Sequence, residues 1–96
     1  MIQSDKWAIT MTDQEIFNKL IEIMKKLFSD TKMVDYGQIT PDSKPIDNLG
    51  FNSMDLIMMS FAIESEFHID ISNLTMSSFS TIQQVINYIK ERNNVH

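Results

Sequence analysis

The feature that most constrains this fold is an apolar segment with helical spacing that begins directly after a glycine turn. Gly50 precedes a short polar pair, Asn52 and Ser53, and no glycine or proline follows through Ile71. Short polar side chains immediately before an apolar periodic segment are typical of a helix N-terminus. The pattern therefore predicts a helix from Ser53 to about Phe67.

This predicted helix is apolar on two sides. Turning by about 100° per residue from Ser53 separates the apolar residues into two stripes. The stripes are Leu56, Met59, Ile63 and Phe67 on one side, and Met54, Ile57, Met58 and Phe61 on the other. One stripe must face the core, while the other is either covered by a loop or available to a partner. For Met54 and Ile57 both possibilities stay open.

Two further amphipathic segments flank this helix. Thr12 and Glu15 form a capping-box pattern, and the apolar spacing after them predicts a helix over 13–28. A second such pattern, Ser80 with Gln83, predicts a last helix that ends near Glu91. The short polar segment 72–79 is expected to form a single helical turn.

The segment from Ser29 to Asn48 holds both prolines and one of the two glycines, which favours a long loop. A long loop in a small domain usually has a structural or functional reason. Its apolar residues are candidates for pinning it across the helices: Val34, Tyr36, Ile39, Ile46 and Leu49.

Together these segments predict an all-α fold, a four-helix bundle of three main helices and one short helix with a long first loop. A chain of 96 residues suffices for one small domain, which we place at residues 12–91. Residues 1–11 are expected to be a disordered extension, and residues 92–96 a frayed tail.

Composition narrows the function. With 8 basic and 13 acidic residues the formal charge is −5, which argues against nucleic-acid or anionic-membrane binding and favours basic protein partners. The chain has no cysteine, so thioester chemistry would require a prosthetic group. No segment approaches the length of a membrane span and no signal-peptide pattern is present, so a cytoplasmic protein is expected.

Ser53 is the candidate functional residue. A hydroxyl at a helix N-terminus lies beside unpaired backbone N–H groups and the positive end of the helix dipole. A phosphate attached there would experience a favourable field, so the position suits a phosphodiester.

The segments Leu49–Met54 and Glu64–Ile71 resemble the acyl carrier protein family. That family has Leu-Gly-x-Asp-Ser-Leu, then a helix, then Glu-x-x-Phe and an aliphatic pair, and the resemblance extends over about residues 12–91. This chain has Asn52 where most members have Asp, and Met54 where most have Leu. Asparagine removes a negative charge beside the modification point, which bears on which transferase loads the protein.

The resemblance implies a carrier and not an enzyme. It places 4′-phosphopantetheine from coenzyme A covalently on Ser53, with Asn52 and Gly50 forming the loading point. It implies a phosphopantetheinyl transferase and the acyl-loading, synthase or transferase enzymes as partners of a monomeric protein. The thiol of the prosthetic group would hold acyl intermediates of fatty-acid, polyketide or related biosynthesis as thioesters.

The resemblance also implies a partner-binding face on the central helix. Many fatty-acid carriers have an acidic, partner-facing residue at the position of Met58, so we expect Met58 to be exposed. The face comprises Asp55, Met58, Phe61, Ala62 and Ser65, with Glu64 and Glu66 as flanking charge.

Three other functions were weighed. A hydrolase triad would need His68, but no Gly-x-Ser-x-Gly elbow surrounds Ser53, so His68 is expected to be a solvated residue at a helix end. A discrete peptidyl or aminoacyl carrier of nonribosomal-type biosynthesis is one alternative. An unmodified carrier-like adaptor, binding through Met58 and Phe61, is the other.

Overall fold

A computed structural model describes residues 11–93 of the chain, and within this range it is helical with no strand. The helices are α1 (Asp13–Phe28), α2 (Ser53–Phe67) and α3 (Ile82–Asn93). Two 3₁₀ helices lie in the connections, at Tyr36–Gln38 and Met76–Phe79. The predicted all-α architecture is confirmed, and the predicted short helix is the second 3₁₀ helix.

Helix α1 begins and ends where the sequence predicts. The Glu15 backbone N–H donates to Thr12 Oγ1 at 3.1 Å, and the Thr12 N–H donates to a Glu15 carboxylate oxygen at 2.8 Å. This capping box satisfies two amide groups that the helix itself leaves unpaired. The apolar face that follows is buried, and it consists of Ile16, Leu20, Ile23, Met24 and Phe28.

Helix α2 packs one of its two apolar stripes into the core. Those residues are Leu56, Met59, Ile63 and Phe67, as predicted. The helix ends at His68, whose N–H still donates to the Glu64 carbonyl at 2.9 Å and whose left-handed backbone (φ 56°) then turns the chain away from the helix axis. The His68 side chain is exposed, so the expectation of a solvated helix-end residue is confirmed.

The predicted capping box at the start of α3 is wrong. The hydroxyl that accepts from the helix belongs to Thr81, which receives the Gln84 N–H at 3.2 Å. Ser80 instead donates its hydroxyl to the Ser77 carbonyl at 2.6 Å, because it completes the turn that ends the second 3₁₀ helix. At its other end α3 continues to Asn93, so the predicted tail contributes two residues to the helix.

The core joins the three helices with residues from the connections. Buried apolar residues outside the α-helices are Met11, Ile39, Pro45, Phe51, Ile69 and Phe79. Met11 therefore belongs to the domain, although the sequence placed it in the extension. Residues 1–10 and 94–96, on which the rest of the predicted extension and tail fall, lie outside the described residues.

The long first loop has a structural role. The carbonyl oxygens of Pro41 and Ser43 accept hydrogen bonds from the Gln83 and Ile82 N–H groups of α3, at 2.8 and 3.0 Å. These amides belong to the first turn of α3 and lack an intrahelical partner. The loop thus caps α3, which explains why it crosses the bundle.

Most of the predicted apolar anchors of this loop are confirmed. Ile39 is buried, and Val34, Tyr36 and Leu49 pack partly buried against the core. Ile46 is instead 44% exposed, so its predicted anchoring role is wrong. No helix within residues 11–93 has the length and apolar character needed to cross a membrane.

Polar contacts also connect α1 to the other helices. Asp13 pairs with Lys90 of α3 at 2.6 Å and accepts a hydrogen bond from Gln83 at 3.2 Å. These two hydrogen bonds, with that from Lys90 the larger effect, lower the pKa of Asp13. Lys19 of α1 pairs with Glu66 of α2 at 3.0 Å and lowers the pKa of that carboxyl in the same way.

The lowered pKa of Asp13 predicts how its contribution depends on pH. The folded protein favours the ionised form of Asp13 more than the unfolded chain does. Asp13 therefore contributes its full stabilisation of the fold above the unfolded pKa of about 4. This stabilisation is lost as the pH falls below that value. We expect Asp13→Asn to lower the free energy of unfolding at pH 7 by less than about 1 kcal/mol, since the pair is exposed. Urea unfolding should show this difference shrinking steadily as the pH falls below about 4; a difference that stays the same as the pH falls would contradict the assignment.

Candidate functional site

The turn that leads into α2 is fixed to the core. Gly50 has a left-handed backbone (φ 75°), which a residue with a Cβ adopts only with strain. The next residue, Phe51, is buried, and its N–H donates to the Pro45 carbonyl at 3.0 Å. Its ring packs on Phe28 of α1, with ring centroids 4.7 Å apart. The start of α2 is therefore held in place by the core.

The residues on either side of Ser53 cap the helix. Asn52 is the N-cap, and its side-chain oxygen accepts the Asp55 N–H at 2.9 Å. The Asp55 carboxylate accepts the Asn52 N–H at 2.9 Å in return. Ser53, the first residue of the helix, has an exposed side chain. Capping is therefore accomplished without the Ser53 hydroxyl, which is left accessible.

The same end of α2 offers a favourable environment for a negative charge. A helix leaves its first four N–H groups without intrahelical partners, and the capping box pairs those of Asn52 and Asp55. In the described part of the chain no side chain caps the other two, those of Ser53 and Met54. These amides and the helix dipole favour an anion beside Ser53.

The structure corrects the placement of Asp55. It was expected on the exposed partner face, but the residue is only 8% exposed. Its carboxylate turns back to cap the helix and forms an ion pair with Lys32 at 2.9 Å. The Asn-x-x-Asp spacing of a capping box could have indicated this from the sequence. Lys32 carried no such signal, because it lies in the loop after α1.

The second apolar stripe of α2 is exposed. Met54 is 63%, Ile57 49%, Met58 39% and Phe61 61% exposed. We call these four residues the apolar stripe. The expected exposure of Met58 is confirmed, and the question left open for Met54 and Ile57 is resolved towards solvent. Contiguous apolar patches on a small protein commonly mark interaction sites.

The other residues expected on the partner face differ in how far they are exposed. Ser65 is exposed, whereas Ala62 is half-buried and packs against the core. Glu64 and Glu66 are exposed at the end of the helix, and Glu66 pairs with Lys19. Apart from the paired Asp55, the helix therefore carries no charged residue between Ser53 and Ile63.

Comparison with known proteins identifies the family. Residues 19–89 match the family model described as the phosphopantetheine attachment site. An acyl carrier protein of Thermotoga maritima is 33% identical over 79 residues, covering 82% of this chain and 93% of the relative. That of Rickettsia canadensis is 34% identical, covering 91% and 96% of the two chains. That of Petrotoga mobilis is 31% identical, covering 88% and 95%. The chain belongs to the acyl carrier protein family.

Members of this family are carriers and not catalysts, and they hold a covalently attached 4′-phosphopantetheine group while interacting with synthases and transferases. The residues at the start of α2 fit this group. The exposed Ser53 hydroxyl can form the phosphodiester, and the free amides of Ser53 and Met54 favour its negative charge. The nearby negative charge of Asp55 is compensated by Lys32.

The geometry of this acyl carrier protein family member excludes a catalytic pair of Ser53 and His68. Ser53 and His68 lie at opposite ends of α2, about 22 Å apart along the helix axis, which is too far for a nucleophile and its base. Within residues 11–93 no cluster of three or more histidine or acidic side chains could hold a metal ion.

Asn52 caps the helix and Ser53 does not, so substitutions at the two residues should affect stability differently. Asn52→Ala removes the cap and should lower the free energy of unfolding by about 1 kcal/mol. Ser53→Ala removes an exposed hydroxyl that does not cap the helix, so it should change the free energy of unfolding by only a few tenths of a kcal/mol. Urea unfolding of the two unloaded variants measures both. A larger loss for Ser53→Ala than for Asn52→Ala would mean that Ser53 is structural.

Proposed function

We propose that Ser53 carries the 4′-phosphopantetheine group and that the protein holds acyl intermediates for the enzymes of fatty-acid or related biosynthesis. The observation that carries the proposal is an exposed serine hydroxyl at the first position of α2, next to a cap formed by other residues. The names of the three relatives, all acyl carrier proteins, favour an acyl cargo over an aminoacyl or peptidyl one.

Each residue of the loading point has a separate role. Gly50 permits the turn, Asn52 caps the helix, and the Ser53 oxygen forms the ester bond to phosphorus. When attached, the group supplies a terminal thiol that can hold an acyl chain as a thioester, which this cysteine-free chain cannot do with its own residues.

Loading requires a phosphopantetheinyl transferase with coenzyme A. Ser53 loses its hydroxyl proton to the transferase, an O–P bond forms to the phosphopantetheine phosphate, and adenosine 3′,5′-bisphosphate leaves. Asn52 is neutral where most family members have a negative charge, so transferases that recognise that charge should load this protein less efficiently.

Mass spectrometry tests the loading proposal. Incubation of the apo protein with coenzyme A, Mg²⁺ and a transferase of broad specificity should add one phosphopantetheine group, on the peptide that contains Ser53. Ser53→Ala should abolish the gain, whereas Ser29→Ala, which alters an exposed serine at the end of α1, should retain it. No gain in the wild-type protein, or a gain that persists in Ser53→Ala, would refute the proposal.

We also propose the apolar stripe as the surface that partner enzymes contact, together with Ser65 and the exposed edge of Ala62. The proposal rests on four large apolar side chains facing solvent from Met54 to Phe61, on the helix that begins at Ser53. Because Asp55 is withdrawn into an ion pair, the stripe offers a partner apolar contact rather than charge. Methionine adapts well to such surfaces. The exposed acidic residues of α2, Glu64 and Glu66, lie near its C-terminal end, so ionic contacts with a partner would form there.

An unmodified adaptor would use the same stripe, and an unchanged Ser53 in the loading experiment would favour it. For the carrier, a monomer is the simplest state, because α2 must present its stripe to one enzyme after another. Cytoplasmic location stays a prediction.

If the apolar stripe contacts partner enzymes, changes in it should alter the kinetics of loading by the phosphopantetheinyl transferase. Phe61→Ser and Met58→Ser each remove a large exposed apolar side chain, so each should raise the KM for the carrier protein several-fold while leaving kcat nearly unchanged. Met33→Gln alters a fully exposed methionine in the first loop and is the matched control. KM should rise less than about threefold between low and moderate salt, since the stripe is uncharged. Unchanged KM in both stripe variants would remove the stripe from this interface.

A further inference from the structure

One basic side chain from outside α2 contacts both sides of the turn that carries Ser53. The Lys32 ammonium lies 2.9 Å from an Asp55 carboxylate oxygen, two residues after the serine. It also lies 3.5 Å from the Gly50 carbonyl oxygen, three residues before it. Lys32 thus connects the turn to the first turn of α2.

The position of Lys32 is itself fixed by the core. Its backbone N–H donates to the Phe28 carbonyl at 2.8 Å, which closes a turn directly after the end of α1. Phe28 packs against Phe51, one residue after Gly50. The lysine is therefore anchored to the element against which the turn packs, and its contacts do not depend on a free-standing loop.

The ion pair is well placed to hold the cap. The Lys32 and Asp55 side chains are only 23% and 11% exposed, so water screens their attraction less than it would at the surface. The same Asp55 oxygen accepts both the Lys32 ammonium and the Asn52 N–H. Lys32 therefore keeps the carboxylate in the orientation that closes the capping box around Ser53.

The charge of Lys32 is relevant to loading as well. Coenzyme A approaches Ser53 through a negatively charged diphosphate, and an unpaired carboxylate two residues away would repel it. The ammonium compensates this charge without contacting the serine. Asn52 adds no charge of its own, so Asp55 is the sole acidic residue between Asn48 and Ile63.

We propose that Lys32 is a positioning residue for the modification of Ser53: it joins Gly50 and Asp55, closes the capping box and neutralises the carboxylate next to the hydroxyl. This inference rests on the proposed function of Ser53 for its kinetic consequence. Its structural part, the closure of the capping box, stands independently of loading.

Amide hydrogen exchange tests the structural part on the unloaded protein. Lys32→Met keeps the length of the side chain but removes the charge, and it should speed exchange of the Asn52 and Asp55 amides several-fold. Lys32→Arg should restore protection. Lys44→Met is the matched control, because the Lys44 side chain is exposed in the same loop. Unchanged exchange in Lys32→Met would overturn the inference whether or not the protein can be loaded.

Transferase kinetics test the functional part. Lys32→Met should lower kcat/KM for loading about tenfold, Lys32→Arg should recover most of it, and Lys44→Met should match the wild type. In an Asp55→Asn background Lys32→Met should have little further effect, because its partner charge is already absent. If Lys32→Met alone destabilises the fold, the comparison of Asp55→Asn with the double variant still measures the effect of Lys32 on loading. Full additivity of the two substitutions would show that Lys32 does not act through Asp55. Failure of the wild type to load would refute the role of Ser53 instead.

Discussion

The reciprocal hydrogen bonds between Asn52 and Asp55 are the constraint on which the functional end of this protein depends. They satisfy the amides at the start of α2 without using the hydroxyl that lies between them. The turn before them is fixed by Phe51, which packs on Phe28 in the core. A rigid, capped helix start with an exposed serine is therefore a consequence of local hydrogen bonding and of burial one residue earlier.

The two sides of the same helix meet two different requirements. One stripe, which includes Met59 and Ile63, supplies the core, so α2 cannot be removed without loss of the domain. The opposite stripe is left uncovered by the described part of the chain, although it includes side chains as large as Phe61. Exposed apolar area contributes nothing to folding and favours association, so its presence on the helix that begins at Ser53 fits the proposed docking with enzymes.

The sequence predicted those features that depend on local spacing. Apolar periodicity gave the bounds of α1 and α2, and the short polar residues after Gly50 indicated that Ser53 lies at the start of α2. Features that depend on contacts between distant segments were missed. The pairing of Lys32 with Asp55 and the capping of α3 by the carbonyls of Pro41 and Ser43 leave no periodic trace. The cap of α3 was placed one residue early because Ser80 and Thr81 are both suitable cap residues, and only the preceding turn decides between them.

The central claim is that cells attach phosphopantetheine to Ser53, and the most direct measurement is the mass of the protein isolated from its native host. Tandem mass spectrometry of the peptide spanning α2 should find phosphopantetheine, free or acylated, on Ser53. An unmodified Ser53 in protein recovered from growing cells, or the group on another residue, would contradict the account.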